Sequence, residues 1–157
     1  MMKRFLKNER GLTLIELLAV VVILGIIAAI AITAIGAIID NSKKDAHIAN
    51  AQQMVSAARM AVTADRNTKT SYTMQELYDA GYLENIPKSP GKKSEEYDPN
   101  ESIVTISKVD IKDKDDKKIG DKLVYKVTLV DKTDSDFKYI DNEDVNDLKR
   151  DDVKLDE

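Results

Sequence analysis

The chain has no cysteine and one histidine, and only 5% of its 157 residues are aromatic. Without cysteine, any exported domain folds with no disulfide staple, and no thiolate is available as a nucleophile or metal ligand. The single imidazole, His47, lies among polar residues with no paired base and no serine in a nucleophile-elbow context, and it reads as a solvated helix residue. Glycine-rich phosphate loops are missing as well. Pro90-Gly91-Lys92-Lys93 lacks the spaced glycines and following hydroxyl of a phosphate loop and reads as a turn. The acid-rich stretches 110–121 and 131–144 place no Gly at the turn and no Glu at the end of a twelve-residue loop, and interspersed lysines oppose the field a calcium ion needs. These absences leave no catalytic residue, metal ligand or cofactor site to expect; the chain reads as non-enzymatic.

Excess positive charge is also lacking. The formal net charge is −4, and the first ten residues hold Lys3, Arg4, Lys7 and Arg10 against Glu9, so the remainder is more acidic than the whole. An acidic surface disfavours sequence-independent binding to phosphates. The best basic cluster, Lys88, Lys92 and Lys93, has only Tyr97 near it for stacking, which makes nucleic acid contact a weak reading.

What the chain does have is an amino end in which that basic leader meets Gly11, then Leu12-Thr13-Leu14-Ile15-Glu16, then an apolar run. Leu17 to Ile39 contains no charge and Thr33 as its only hydroxyl, long enough to cross a bilayer as a helix. An ionised side chain inside a membrane helix costs roughly 2.5 to 3.5 kcal/mol on insertion scales, so a carboxylate there needs a partner or a proton. The basic residues before the span predict a cytoplasmic amino terminus and an outside carboxyl domain. An ordinary secretory signal, with Ala29-Ile30-Ala31 mimicking its cut, is the bland alternative, but its apolar core runs only about 7 to 15 residues. A plain single-pass anchor explains the span and leaves Glu16 without a role.

Gly11-Leu12-Thr13-Leu14-Ile15-Glu16-Leu17-Leu18 resembles the signature of the type IV pilin and pseudopilin family: a short basic leader, a Gly before the cut, a mature start of the form x-T-L-I-E, and a long apolar helix. The resemblance covers about the first quarter of the chain. It implies cleavage between Gly11 and Leu12 by a membrane-embedded prepilin peptidase, N-methylation of Leu12, and an assembly role for Glu16 through the amino terminus of a neighbouring subunit. The family most often begins its mature chain with Phe, where this one has Leu12, and the kinking Pro found deeper in the run is replaced near Thr33. Absence of the disulfide of many Gram-negative pilins, with a Lys-, Asp- and Ile-rich composition, points to a Gram-positive source.

Beyond the span, Ile48, Ala51, Val55, Ala58 and Val62 recur at steps of three and four, so the helix continues to about residue 65 with one apolar stripe. Gly36 and Asp40-Asn41-Ser42 favour a bend or local melting between the halves. Asn67 to Ser71 reads as a loop. Thr73-Met74-Gln75-Glu76 fits a capping box opening a short helix that ends near Gly81. Pro87, Pro90 and Gly91 force an extended, turn-rich path. Ile103 to Ile111 and Leu123 to Val130 read as strands of an antiparallel hairpin joined by a long charged loop, Lys112 to Lys122, with a third strand around Phe137, Tyr139 and Ile140. After Asp141 the tail is acidic, with isolated Val145, Leu148, Val153 and Leu155; its low hydrophobicity favours fraying or disorder, while those four aliphatics permit a weak strand or helix.

The expected fold is α+β: a long amino-terminal α-helix, membrane-spanning in its first half, packed by its second half on a small antiparallel β-sheet. The divisions are leader 1–11, filament-core helix 12–39, extracytoplasmic half-helix 40–66, head 67–140 and acidic tail 141–157. The expected function is that of a structural subunit in a type IV pilus-like filament serving adhesion or surface motility. Its partners are the prepilin peptidase, further copies of itself, an assembly ATPase with its membrane platform, and the membrane before assembly. The alternatives are a pseudopilin of a DNA-uptake or type II secretion machine and, outside the family, a membrane-anchored binding domain that never polymerises. Mass spectrometry of the surface protein should find a mature chain beginning at a methylated Leu12. An amino terminus after Ala31, or retention of Met1, would contradict the pilin reading.

Overall fold

The computed structural model describes residues 13–64 and 69–156. The chain divides between Ile39 and Asp40 into two compact units. One α-helix, α1 (Leu14–Ala64), contributes to both. Gly36 and Asp40-Asn41-Ser42 are helical like their neighbours, so no local melting interrupts it.

The second unit is built on the apolar stripe of α1. Ala51, Val55 and Ala58 are buried as expected, Ile48 and Val62 pack at the margin, and His47, Met54, Ala57 and Ala61 widen the stripe. Alanine at so many contact positions keeps the facing surface of the helix shallow, while longer side chains arrive from the sheet. The α+β architecture is the expected one: the second half of a long helix packs on an antiparallel sheet.

That sheet has four strands in the order β1-β2-β3-β4, each pair antiparallel: β1 (Ser71–Thr73), β2 (Ile103–Lys112), β3 (Lys118–Val130) and β4 (Lys138–Asp144). The charged loop expected over Lys112 to Lys122 is shorter, because the ladder carries β2 through Lys112 and starts β3 at Lys118 despite the polar sequence. Register follows the side-chain alternation. Val104 faces Val127 and Ile106 faces Tyr125 across β2 and β3, and these residues with Leu129 enter the core. β1 was not legible as a strand, because three residues carry no alternation long enough to register. It places Tyr72 in the core beside Val104 and leads straight into α2 (Met74–Asp79). At that junction the expected capping box forms: Glu76 N donates to Thr73 Oγ1 at 3.1 Å and Thr73 N to Glu76 Oε2 at 3.0 Å. Gly81, at φ +78°, follows the helix in the left-handed conformation that favours glycine.

The carboxyl segment packs rather than fraying. After β4, a short 3₁₀ turn (Arg150–Asp152) presents Val153 and Leu155, both buried, and Lys154 N donates to Tyr139 O at 2.9 Å. Arg150 grips Asp45 on α1 through both oxygens at 2.6 and 2.7 Å, and Lys92 bridges Asp40 and Asp156. Low average hydrophobicity conceals this because four well-placed aliphatics suffice when the body of the domain supplies the rest of the core.

Because the stripe, sheet and tail all belong to the unit beginning at Asp40, a fragment spanning residues 40–157 should fold alone as a soluble monomer. Proton NMR with dispersed amide signals and a cooperative urea transition would verify this. A fragment that stays unfolded would show that the apolar half of α1 is needed for the head.

Candidate functional site

The amino-terminal site is built on the first turn of α1. Helix starts leave backbone N–H groups without intrahelical partners, and here Thr13 and Glu16 supply a reciprocal cap. Thr13 N and Oγ1 each donate to Glu16 Oε2 at 2.8 Å, and Glu16 N donates to Thr13 Oγ1 at 3.3 Å. Glu16 is thus the third helical residue of a capping box, the same T-x-x-E spacing that opens α2. Thr13 was missed as a site residue, although this spacing could have found it. The box uses Oε2, and Glu16 Oε1 has no hydrogen-bond partner among the described residues. One oxygen therefore closes the helix while the other is available to a further cation. Gly11 and Leu12, the expected cleavage and methylation positions, lie outside the described residues.

Downstream of the cap, every large aliphatic side chain from Leu14 to Ile39 is exposed. Thr33 satisfies its hydroxyl on its own helix, donating to Ile30 O at 2.9 Å, so the position most at odds with hydrocarbon carries no unpaired donor. The segment from Leu14 is long and apolar enough to cross a membrane.

His47 overturns its reading as a solvated residue. Its side chain is fully buried, stacked on Tyr139 at 4.3 Å between ring centroids, with Nδ1 2.7 Å from the Tyr97 hydroxyl. The missed signal is its spacing: His47 precedes Ala51 by four and Met54 by seven, on the stripe itself. A polar seam extends from it. Asn50 Nδ2 donates to Tyr97 OH at 3.1 Å. Tyr139 OH donates to Asp131 Oδ2 at 2.5 Å. Ser94 Oγ gives a very short hydrogen bond to the same oxygen, and Thr133 N, Thr133 Oγ1 and Asp134 N donate to Oδ1. Burial of Asp131 opposes its charge, but donation from Ser94, Thr133 and Tyr139 outweighs it and holds the carboxyl well below its usual range.

Several of the other sequence candidates are held in ion pairs or packed turns. Lys93 pairs with Asp134 and lies over the Phe137 ring, and Lys118 bridges Asp110 and Asp121. Gly91 lies so close to the Tyr139 ring that a Cβ there would sit 2.4 Å from a ring carbon, which makes it a packing position. Among the described residues no group of three or more His, Asp or Glu side chains is placed to hold a metal.

A family model of the prokaryotic N-terminal methylation motif matches residues 6–32. The chain therefore carries the type IV pilin, or prepilin-type, signal. That signal points to a structural protein, pilin-like or pseudopilin, and implies processing by a prepilin peptidase followed by assembly. With the long apolar helix it fits a single-pass membrane protein before assembly. No curated protein and no solved structure matches the chain.

The buried seam makes head stability sensitive to acid. Burial, aided by the Lys43 charge, pushes His47 down from 6.5 to about 4. The unfolded chain takes up this proton near pH 6.5 and the folded one only near pH 4, so the His47 contribution to stability is complete above pH 6.5 and is lost as pH falls through that window. Between pH 7 and 4.5 this amounts to roughly 2 to 3 kcal/mol. Urea titrations of the 40–157 fragment should show the loss, and His47→Gln should lack this component while being less stable at pH 7. Equal pH slopes in the two proteins would contradict the assignment.

Proposed function

We propose that the chain is the structural subunit of a type IV pilus-like filament, drawn from the membrane after cleavage between Gly11 and Leu12 and serving surface adhesion or motility. The observation that carries this reading is the prepilin-type signal at residues 6–32 set on a helix whose aliphatic side chains are exposed from Leu14 to Ile39. That surface requires hydrocarbon before assembly and other helices after it. Lys3, Arg4, Lys7 and Arg10 hold the leader in the cytoplasm, which puts the head outside. A prepilin peptidase removes the leader and methylates Leu12. An assembly ATPase and its membrane platform then extract the subunit.

Glu16 acts in registration. In the isolated subunit its carboxylate caps its own helix; in the filament the free oxygen meets the Leu12 ammonium of a neighbour. Cleavage leaves Thr13 N as an amide, so the cap persists in the mature chain. A helix entering the bundle out of register would bury that ammonium without a counter-charge, the costly half of a broken pair.

Two substitutions separate cap from charge. Glu16→Gln keeps a capping-box side chain and removes the charge, whereas Glu16→Ala removes both. Both variants should reach the membrane and be processed like wild type, since removing the charge relieves insertion. Both should lose most sheared surface filaments, which immunoblots of the membrane and sheared fractions would quantify. Wild-type filament yield from either would show that the Glu16 charge does not direct assembly. A wild-type chain abundant in the membrane and rare in sheared filaments would favour a pseudopilin.

A further inference from the structure

Past Ile106 the hairpin of β2 and β3 runs on beyond the rest of the sheet. β1 pairs with β2 no further than Thr105, and β4 pairs with β3 only from Lys126. In the arm, Ser107–Val124, each strand therefore has one edge with no strand partner among the described residues. A two-stranded ribbon with no third layer is marginal by itself. This one also leaves aliphatic surface in water: Val109 is 49% exposed, Ile111 42% and Ile119, nearest the turn, 65%. Val109 and Ile111 lie two residues apart on one face, and Ile111 faces Gly120 across the ladder.

Charge distinguishes the arm from the rest of the head. Residues 108–122 hold six lysines and five aspartates. Lys112 and Lys118 take up Asp116, Asp110 and Asp121 in ion pairs, leaving Lys108, Lys114, Lys117 and Lys122 against Asp113 and Asp115 outside any ion pair among the described residues, a local excess of positive charge. The opposite imbalance lies at the end of β4 and in the stretch that follows. Glu143 at the end of β4, and Asp147 and Asp151 after it, are exposed and outside any ion pair among the described residues, against the one exposed Lys149, while the nearby Arg150 is committed to Asp45. Beside this stretch opens a groove of about 430 Å³ lined by Gln52, Val55, Ser56, Arg59, Val145 and Asn146.

We propose that the β2–β3 arm of one copy docks on the acidic stretch 143–151 of the next, its lysines meeting the carboxylates and the polar groove beside them receiving the rest of the arm's charged edge. The contact rests on the filament reading. It joins two different patches, and such head-to-tail contacts propagate into open helical arrays when the rotation does not close. Lysines along an exposed edge also discourage free copies from pairing strand to strand. The contact forms when neighbouring helices in the filament core raise the effective concentration of the heads.

The test uses the full chain in the cell that assembles it. The triple variant Lys114→Glu, Lys117→Glu, Lys122→Glu should be processed normally and keep a protease-resistant head, yet yield about tenfold fewer sheared filaments or more, with thinner cross-linking between heads. Adding Glu143→Lys, Asp147→Lys and Asp151→Lys should restore filaments. Because the native chain has no cysteine, Lys117→Cys with Asp147→Cys and a flexible bis-maleimide should give a ladder of multimers from sheared filaments. Normal filaments from the triple variant, or a ladder-free product of single-subunit mass, would overturn the docking and leave the filament reading intact. Dimers from Lys117→Cys alone would overturn it in favour of arm-to-arm pairing. Failure of the unmodified chain to form filaments would overturn the filament reading itself, and the arm contact with it.

Discussion

A helix that exposes aliphatic side chains from Leu14 to Ile39 cannot remain in water, and most of what is distinctive in this chain answers to that constraint. The stretch carries no charge after Glu16 and satisfies its one hydroxyl internally, so both hydrocarbon and a bundle of like helices can receive it. The same constraint makes the carboxylate at its start consequential. Glu16 is poised between two partners: its own helix start, which it caps through one oxygen, and a neighbour's amino group, which the proposed assembly supplies to the other. A residue serving only as a cap could be replaced by an amide; a residue serving only as a counter-charge would not need Thr13.

The head meets a different demand, since it folds without cysteine. Two devices tie its ends together. On one side, the tail is strapped to α1 by Arg150 on Asp45 and to the central loop by Lys92 between Asp40 and Asp156, with Val153 and Leu155 buried beneath. Within the core, the seam of His47, Tyr97, Tyr139 and Asp131 joins helix, loop and sheet through two hydrogen bonds and the stacking of His47 on Tyr139. Exposed ion pairs contribute little each in water, so the buried aliphatics and the hydrogen-bonded seam carry the stability while the pairs fix which surfaces meet. His47 Nε2 has no partner among the described residues, so the doubly protonated ring would hold an N–H there without an acceptor. The seam therefore specifies the packing and also sets its acid limit.

Periodicity carried most of the fold. The stripe along α1, the capping box of α2 and the alternating run in β3 are each legible because they repeat over several residues or combine two independent residue types. Elements defined by partners rather than by pattern were not legible. β1 is three residues whose strand character exists only beside Val104 and Thr105. The tail has too few aliphatics for any window to register, yet each finds a waiting surface. His47 was discounted for its polarity although its spacing placed it on the buried face. Asp131 ends a strand and reads as a loop acid until the five donors around it are assembled. At the amino end the motif itself was plain, whereas the Thr13 cap was overshadowed by the larger question of an acid in a membrane helix.

The central claim is that the apolar half of α1 exchanges lipid for other copies of itself. Electron cryo-microscopy of filaments sheared from the producing cell tests this directly. The expected result is a helical array with residues 14–39 packed as a bundle on the axis, Glu16 Oε1 within hydrogen-bond reach of a neighbour's Leu12 nitrogen, and sheet domains on the outside. Filaments whose axis is formed by the heads, or a surface protein found only as single copies in the membrane, would contradict it.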